Sequence, residues 1–156
     1  MGMGFPDNRL LRADDSYEIP KLEESLSRHL FGFFLVFIGG GLGSMLRHAA
    51  NQAGAAILGP DFPYGTMFVN IIGSLAIGMI AGGFAMRGGG GQTLPLFLTT
   101  GILGGFTTFS TFSLDAALLW ERGNALRAAL YVLGTFIPAV ACVFLGLAIM
   151  RGILRP

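Results

Sequence analysis

The residues of this chain that could do chemistry are uncharged polar groups inside long apolar segments. Asn70 lies near the middle of one such segment, and Tyr131 and Thr135 stand four residues apart in another. Polar groups in a hydrocarbon environment are costly unless they are paired or serve a function. Each of these side chains therefore predicts either a hydrogen bond between packed helices or the lining of a polar path.

A further group of residues predicts a break in a helix. Gly104-Gly105-Phe106-Thr107-Thr108 lies within an apolar segment, although glycine and threonine are poor helix formers. Irregular backbone at membrane depth is tolerated only where it is buried in protein or lines a cavity. Carbonyl groups freed at this point, converging from two copies of the chain, could hold a cation such as Na⁺. The alternative is an unbroken helix whose threonine hydroxyls bond back to their own turn.

Phe109 and Phe112 follow the predicted break and share one helix face at the spacing i, i+3. An aromatic ring has a negative face and a positive edge, so ring edges can favour an anion without binding it fully. By itself, a phenylalanine pair at this spacing is more often lipid-facing or part of a core.

Acidic and metal-ligating residues are scarce in the apolar segments, which argues against catalysis. Asp115 is the only acidic residue within them, and it could pair with Arg47 or with an arginine of the following connection. The sequence contains no His/Cys/Asp/Glu cluster, no Ser/His/acid arrangement and no phosphate loop, so it predicts no enzyme. The net charge of +1 and the lack of a basic stripe predict no nucleic-acid partner.

The composition predicts an all-α integral membrane protein. Hydrophobic residues make up 53% of the chain and charged residues 12%, and the mean hydropathy is +0.66. A membrane-spanning helix needs about 20 mainly apolar residues. Four segments qualify, and with their short connections they predict a transmembrane domain over 30–156 with antiparallel neighbours. These spans are 30–50, 64–86, 94–119 and 125–150, with the third helix broken.

Residues 1–29 form a polar leader that carries about half of the charged residues. Pro20 could occupy the first position of a helix, with Leu22, Leu26 and Leu30 following at intervals of four. An interfacial helix before the first span and a partly disordered leader both fit this pattern. No function is assigned to the leader.

The distribution of Lys and Arg only weakly favours one orientation in the membrane. Five of them lie near the membrane on the side of both termini and three on the other side, a bias that permits insertion both ways. Small residues at intervals of four, such as Ser74, Gly78 and Gly82, predict close helix packing. Four helices of this kind make a thin bundle, so a polar path would need a second copy to complete it.

Three glycine-rich motifs, in order on the first three spans, resemble those of the Fluc (CrcB-type) family of fluoride channels. The resemblance covers about residues 32–150 and leaves out only the leader. It implies passive export of cytoplasmic fluoride by a multi-pass protein of the cell (inner) membrane, built as an antiparallel dual-topology dimer with two narrow pores. The motifs are GGGLGSMLR (39–47), GTMFVNIIGS (65–74) and GILGGFTTFSTFS (101–113).

The resemblance also implies roles for single residues. The backbone carbonyls of Gly104 and Thr107, from both copies, would hold a structural Na⁺ at the dimer centre. Arg47 matches a structural or vestibule charge, and Asp115 stands where relatives usually carry glutamate. Ala139 occupies a position where the family continues a hydroxyl track. The residues implied for the fluoride pore are Asn70, Phe109, Ser110, Phe112, Tyr131 and Thr135.

Two other functions compete with a channel on the sequence alone. A small four-helix proton-coupled multidrug exporter would need a carboxylate in the middle of span one, and this chain has none there. A membrane scaffold would leave the polar and aromatic residues without a reason. A dimer of two related chains is an alternative to two copies of this chain, although the weak arginine bias favours the homodimer.

Overall fold

The computed structural model describes residues 15–87 and 91–154, and all of its regular structure is helical. Four helices are long and apolar enough to cross a membrane, which confirms the predicted all-α membrane fold. The third of them, Thr93–Glu121, is assembled from four consecutive pieces. The elements are α1 (Asp15–Leu58), α2 (Tyr64–Arg87), α3 (Thr93–Leu96), a π-helix (Phe97–Leu103), α4 (Gly104–Phe106), α5 (Phe109–Glu121) and α6 (Ala125–Leu154).

Helix α1 is much longer than the span predicted over 30–50. It has 44 residues, which at about 1.5 Å per residue makes roughly 66 Å, twice the thickness of a bilayer core. Pro20 lies inside α1, so its predicted place at a helix start is wrong. The alanine-rich stretch after Arg47 continues the helix to Leu58, because alanine is the best helix former. The first connection is thereby shortened to 59–63, and it begins with Gly59 in the left-handed region at a φ of 90°.

Helix α1 packs closely against the first half of the third span through glycine. A Cβ atom on Gly39 would lie 2.9 Å from the Cα of Gly101, and one on Gly43 would collide with the carbonyl oxygen of Ile102. On the third span, a Cβ atom on Gly105 would collide with the carbonyl group of Gly40. Glycine is therefore required at these positions for the two backbones to approach this closely.

Helices α2 and α6 run parallel and form the second close pair. Gly78 meets the backbone of Val143, and one turn later Gly82 lies 3.5 Å from the Cα of Leu147, measured from a Cβ built on the glycine. From the first contact to the second, the residue numbers increase on both helices, which shows that α2 and α6 are parallel and fixes their register. Helix α6 continues through Pro138 without a break.

The third span breaks at Thr107 and Thr108, which are both extended. Thr107 has φ −83° and ψ 158°, and Thr108 has φ −156° and ψ 119°. The break was predicted within Gly104–Thr108, and it falls at the threonines, while the glycines before it stay helical. The π-helix of Phe97–Leu103 was not predicted; such wide turns often occur at functional sites.

The surface of the bundle is apolar, as a membrane environment requires. Phe33, Phe37 and Phe144 are each more than half exposed. Such a surface is suited to lipid or to another apolar helix face.

Candidate functional site at the helix break

Asn70 of α2 satisfies the backbone of the broken third span. Its amide nitrogen donates to the Thr108 carbonyl over 3.0 Å, and its oxygen accepts from the Thr108 N–H over 2.8 Å. Thr108 in turn begins α5 as its N-cap, since its side-chain oxygen accepts from the N–H of Thr111. The interhelical bond that the sequence allowed for Asn70 is therefore present, and one of its two amide hydrogens is left over.

The backbone carbonyls of Gly104 and Thr107 are left without donors at the break. In an unbroken helix the Gly104 carbonyl would accept from the N–H of Thr108, but that N–H is bonded to Asn70. The Thr107 N–H and hydroxyl both donate to the Leu103 carbonyl, each over 3.0 Å. Among residues 15–87 and 91–154, no donor bonds to the carbonyl of Gly104 or Thr107.

A groove of about 340 Å³ opens at the break, between α2, α6 and the third span. It brings together most of the residues that the sequence singled out: Asn70, Phe109, Phe112 and Thr135, with Gly104 and Thr107. Two of the predicted pore residues, Ser110 and Tyr131, do not line it. The full lining consists of Asn70, Gly73, Ser74, Ile77, Thr99, Leu103, Gly104, Thr107, Thr108, Phe109, Phe112, Thr135, Phe136 and Ala139.

The two phenylalanines of the groove differ in how firmly they are held. Their ring centroids lie 5.7 Å apart with a tilt of 43°. Phe112 is buried and its ring centroid lies 5.3 Å from that of Tyr131, whereas Phe109 is 77% exposed. The groove is therefore walled on the Phe112 side and open on the Phe109 side in a single copy.

Tyr131 and Thr135 were predicted to form one polar stripe on α6, but their hydroxyl groups have different surroundings. Tyr131 is fully buried behind Phe112 and donates its hydroxyl to Asp115 over 3.2 Å. The hydroxyl oxygen of Thr135 is buried at the groove and has no hydrogen-bond partner among the described residues. A buried hydroxyl without a partner is unusual and indicates a ligand or water at that point.

The ion pair with an arginine that the sequence allowed for Asp115 is not present in the described part of the chain. The partner of Asp115 is Tyr131. Arg47 lies on α1, where it donates to the hydroxyl of Ser44 over 3.4 Å. Ser44 in turn donates to the Gly105 carbonyl over 3.5 Å. Arg47 thus approaches the backbone just before the break from the side of α1, and it does not line the groove.

The comparison with known proteins decides the family. The family model described as "CrcB-like protein, Camphor Resistance (CrcB)" matches residues 34–147. The chain belongs to the CrcB family. The match covers all four spans and excludes the first part of α1.

Curated CrcB relatives are similar over nearly their whole length. A "Fluoride-specific ion channel FluC" of Rhodopseudomonas palustris (strain BisB5) is 59% identical over 121 residues, 78% of this chain and 98% of the relative. A protein of the same name from Methylobacterium nodulans is 61% identical over 117 residues, 75% of this chain and 94% of the relative. One from Mesorhizobium japonicum is 48% identical over 124 residues, covering 80% and 99%.

The comparison also separates the two transport hypotheses, because the relatives at 59% and 61% identity carry the printed names of ion channels. The multidrug-exporter alternative rested on the four-helix architecture alone. The membrane part of α1 contains no carboxylate between Leu30 and Leu58. Together these findings make the CrcB protein a multi-pass membrane protein of a channel family.

Ser74 is the groove residue that the sequence analysis interpreted differently. It was predicted to be part of a packing stripe with Gly78 and Gly82, and the structure places it in the lining of the groove. The signal that indicates this position is its spacing of four from Asn70, which puts both polar side chains on one face of α2. Thr108 was likewise identified only as part of the break, although it is the residue that Asn70 holds.

Proposed function

We propose that this protein is a fluoride-selective ion channel of the cell (inner) membrane. It exports cytoplasmic fluoride passively and so reduces the toxicity of the ion. The observation that carries the proposal is the groove at the break, where a phenylalanine pair faces an amide and a hydroxyl that retain free donor capacity. The printed names of relatives at 59% and 61% identity support it. A channel needs no covalent chemistry, so we propose no enzymatic activity.

The chemistry of the groove fits a small, strongly hydrated anion. A dry pore must replace the water of fluoride by donors, and Asn70 and Thr135 offer an amide N–H and a hydroxyl. Phe109 and Phe112 add the positive edges of their rings. Within the described part of the chain no lysine or arginine lines the groove, so the ion would be stabilised without being trapped.

Ser110 and Tyr131 would act beside this path. The hydroxyl of Ser110 is 3.2 Å from that of Thr108, close to the exposed Phe109. Tyr131 lies behind Phe112 and links it to Asp115. We propose that Ser110 contributes a hydroxyl at the mouth of the groove, while Tyr131 and Asp115 hold Phe112 in position. Arg47 would hold the backbone before the break through Ser44.

A second copy of the chain in the opposite orientation would close the groove. Phe109 is 77% exposed beside a polar groove. Lipid cannot form hydrogen bonds with the polar groups of the groove, so a second protein surface has to cover them. The nearly balanced Lys and Arg distribution permits both orientations. Two copies related in this way would carry two equivalent pores.

The free carbonyls of Gly104 and Thr107 fit a structural Na⁺. Unwound backbone carbonyls in membrane proteins are typical Na⁺ ligands, and neither carbonyl accepts a hydrogen bond from the described residues. Gly104 is exposed, so its backbone is accessible to a second copy. When bound, Na⁺ would join the two copies at the break. Replacing Na⁺ by choline during purification should then lower the thermal stability of the dimer, and an unchanged stability would contradict the assignment.

The channel is tested by fluoride efflux from liposomes. Purified protein in liposomes loaded with fluoride should release it without a proton gradient, as measured with a fluoride electrode. Phe109→Ile and Asn70→Asp should abolish the release, while the matched control Phe33→Ile, an exposed phenylalanine before the family match, should not. Retention of fluoride together with exchange of a cationic drug for protons would support the exporter instead.

The orientation of the copies is tested with one accessible cysteine. Asp61 is exposed in the connection between α1 and α2, and Cys142 is the only cysteine of the chain. In the Cys142→Ser background, Asp61→Cys should react from outside intact cells with an impermeant thiol reagent in about half of the copies. Reaction of all copies, or of none, would rule out dual topology.

A further inference from the structure

The hydroxyl groups of the groove fall into two classes, those that donate a hydrogen bond to the protein and those that do not. Thr99 donates to the Pro95 carbonyl over 2.7 Å, Thr107 to the Leu103 carbonyl over 3.0 Å, and Thr108 to the hydroxyl of Thr111 over 3.1 Å. A hydroxyl has one proton to donate, so these three are committed to the protein.

Ser74 and Thr135 are the two groove hydroxyls that remain free. The Thr135 oxygen is buried without a partner, and the hydroxyl of Ser74 takes part in none of the side-chain hydrogen bonds among residues 15–87 and 91–154. The side chain of Ser74 is half-buried. Its hydroxyl therefore has a proton available at the groove and no protein acceptor to take it.

The register of α2 against α6 places Ser74 at a defined level of the groove. Gly78 meets the backbone of Val143. Because the two helices are parallel, one helical turn back on each brings Ser74 level with Ala139. A second turn back brings Asn70 level with Thr135. The groove therefore has two polar levels, and at the level of Ser74 helix α6 offers only the methyl group of Ala139.

We propose that Ser74 is a further fluoride-binding residue, which supplies at the level of Ala139 the hydroxyl donor that α6 lacks there. The proposal rests on the channel function proposed above. The other groove residues beyond Asn70 and Thr135 on these two helices are Gly73, Ile77, Phe136 and Ala139, which have no side-chain donor. Without Ser74, an ion that moves past the phenylalanine pair would meet no further side-chain donor on α2 or α6.

The test combines removal of the hydroxyl with its return from the opposite wall. Fluoride efflux from liposomes is measured for wild type, Ser74→Ala, Ser74→Thr and the double variant Ser74→Ala/Ala139→Ser. A hydrogen bond to a charged group is worth enough to predict that Ser74→Ala lowers the efflux rate by about tenfold or more. Ser74→Thr keeps the hydroxyl and should stay near the wild-type rate. The double variant should recover most of the loss.

A matched serine and a folding measurement complete the experiment. Ser113 lies on α5 outside the groove and donates to the Phe109 carbonyl, so Ser113→Ala should leave the rate within about twofold. Gel filtration and thermal unfolding in detergent are recorded for each variant. An unchanged rate for Ser74→Ala would overturn the proposal. A loss that neither Ser74→Thr nor Ala139→Ser repairs would overturn it as well, because the serine would then serve packing.

The two proposals fail in different ways. If wild-type protein releases no fluoride, the channel function itself is wrong. If wild type releases fluoride and Ser74→Ala does so equally fast, only the role of Ser74 is wrong.

Discussion

Replacing Asn70 by leucine should destabilise the fold by removing both hydrogen bonds that hold the broken span. Leucine has the same branched shape as asparagine and is larger, so Asn70→Leu leaves no cavity when it removes the amide. The Thr108 N–H and carbonyl then lose their partners, which lie at 2.8 and 3.0 Å in the wild type. Thr108 is buried, so its unpaired backbone groups have little contact with water.

The magnitude follows from which groups are left unpaired. An average interhelical side-chain hydrogen bond in a membrane is worth only about 0.6 kcal/mol, which for two bonds gives about 1.2 kcal/mol. Here the groups left behind are backbone donors and acceptors, and each unsatisfied buried group costs about 1–3 kcal/mol. In the unfolded state the third span can close its helix and satisfy Thr108 internally. We therefore expect a loss of about 2–6 kcal/mol in the free energy of unfolding.

The assay is unfolding by SDS in mixed micelles, followed by the fluorescence of Trp120. It is the only tryptophan of the chain, and it lies at the end of α5, the helix that begins at the break. The control is Gln52→Leu, which also exchanges an amide for leucine but on the exposed face of α1. The control should change the free energy of unfolding by less than about 0.5 kcal/mol.

A loss of less than about 1 kcal/mol for Asn70→Leu would refute this reasoning. The extended Thr107 and Thr108 would then be held by the packing of their neighbours. The amide of Asn70 would then contribute to the groove and not to the stability of the fold.

The remaining predictions concern contacts away from the groove. Tyr131→Phe should cost about 1–3 kcal/mol of unfolding free energy, because Asp115 loses its donor; an unchanged SDS midpoint would contradict the pairing. Gly43→Ala should cost about 1–3 kcal/mol, since its methyl group would collide with the Ile102 carbonyl. Gly41→Ala, where a Cβ meets nothing within 4 Å, is its control, and equal losses in both variants would argue against that close contact.

Much of the fold follows from local features of the sequence. The number of membrane helices was predictable because each needs a long apolar run, and the described residues contain four such helices. The break was predictable because glycine and threonine are poor helix formers at that point. The ends of α1 were not predictable, because the alanine-rich stretch after Arg47 is as compatible with a connection as with a helix until Gly59 turns the chain.

The pairings at the site could not be predicted from the sequence. Asn70 and Thr108 are 38 residues apart, and Asp115, for which the sequence allowed an arginine, pairs with Tyr131. Hydrogen-bond partners between helices depend on how far each helix is rotated and shifted against its neighbour.

The amino-acid sequence alone determined that this protein crosses the membrane four times and that its third span is interrupted, because helix length and helix propensity are local properties. The tertiary structure decided which polar groups share the groove, that Ser74 belongs to it and that Tyr131 does not. The physical reason is that glycine contacts such as Gly78 with Val143 set the register of the helices. Only that register decides which side chains meet.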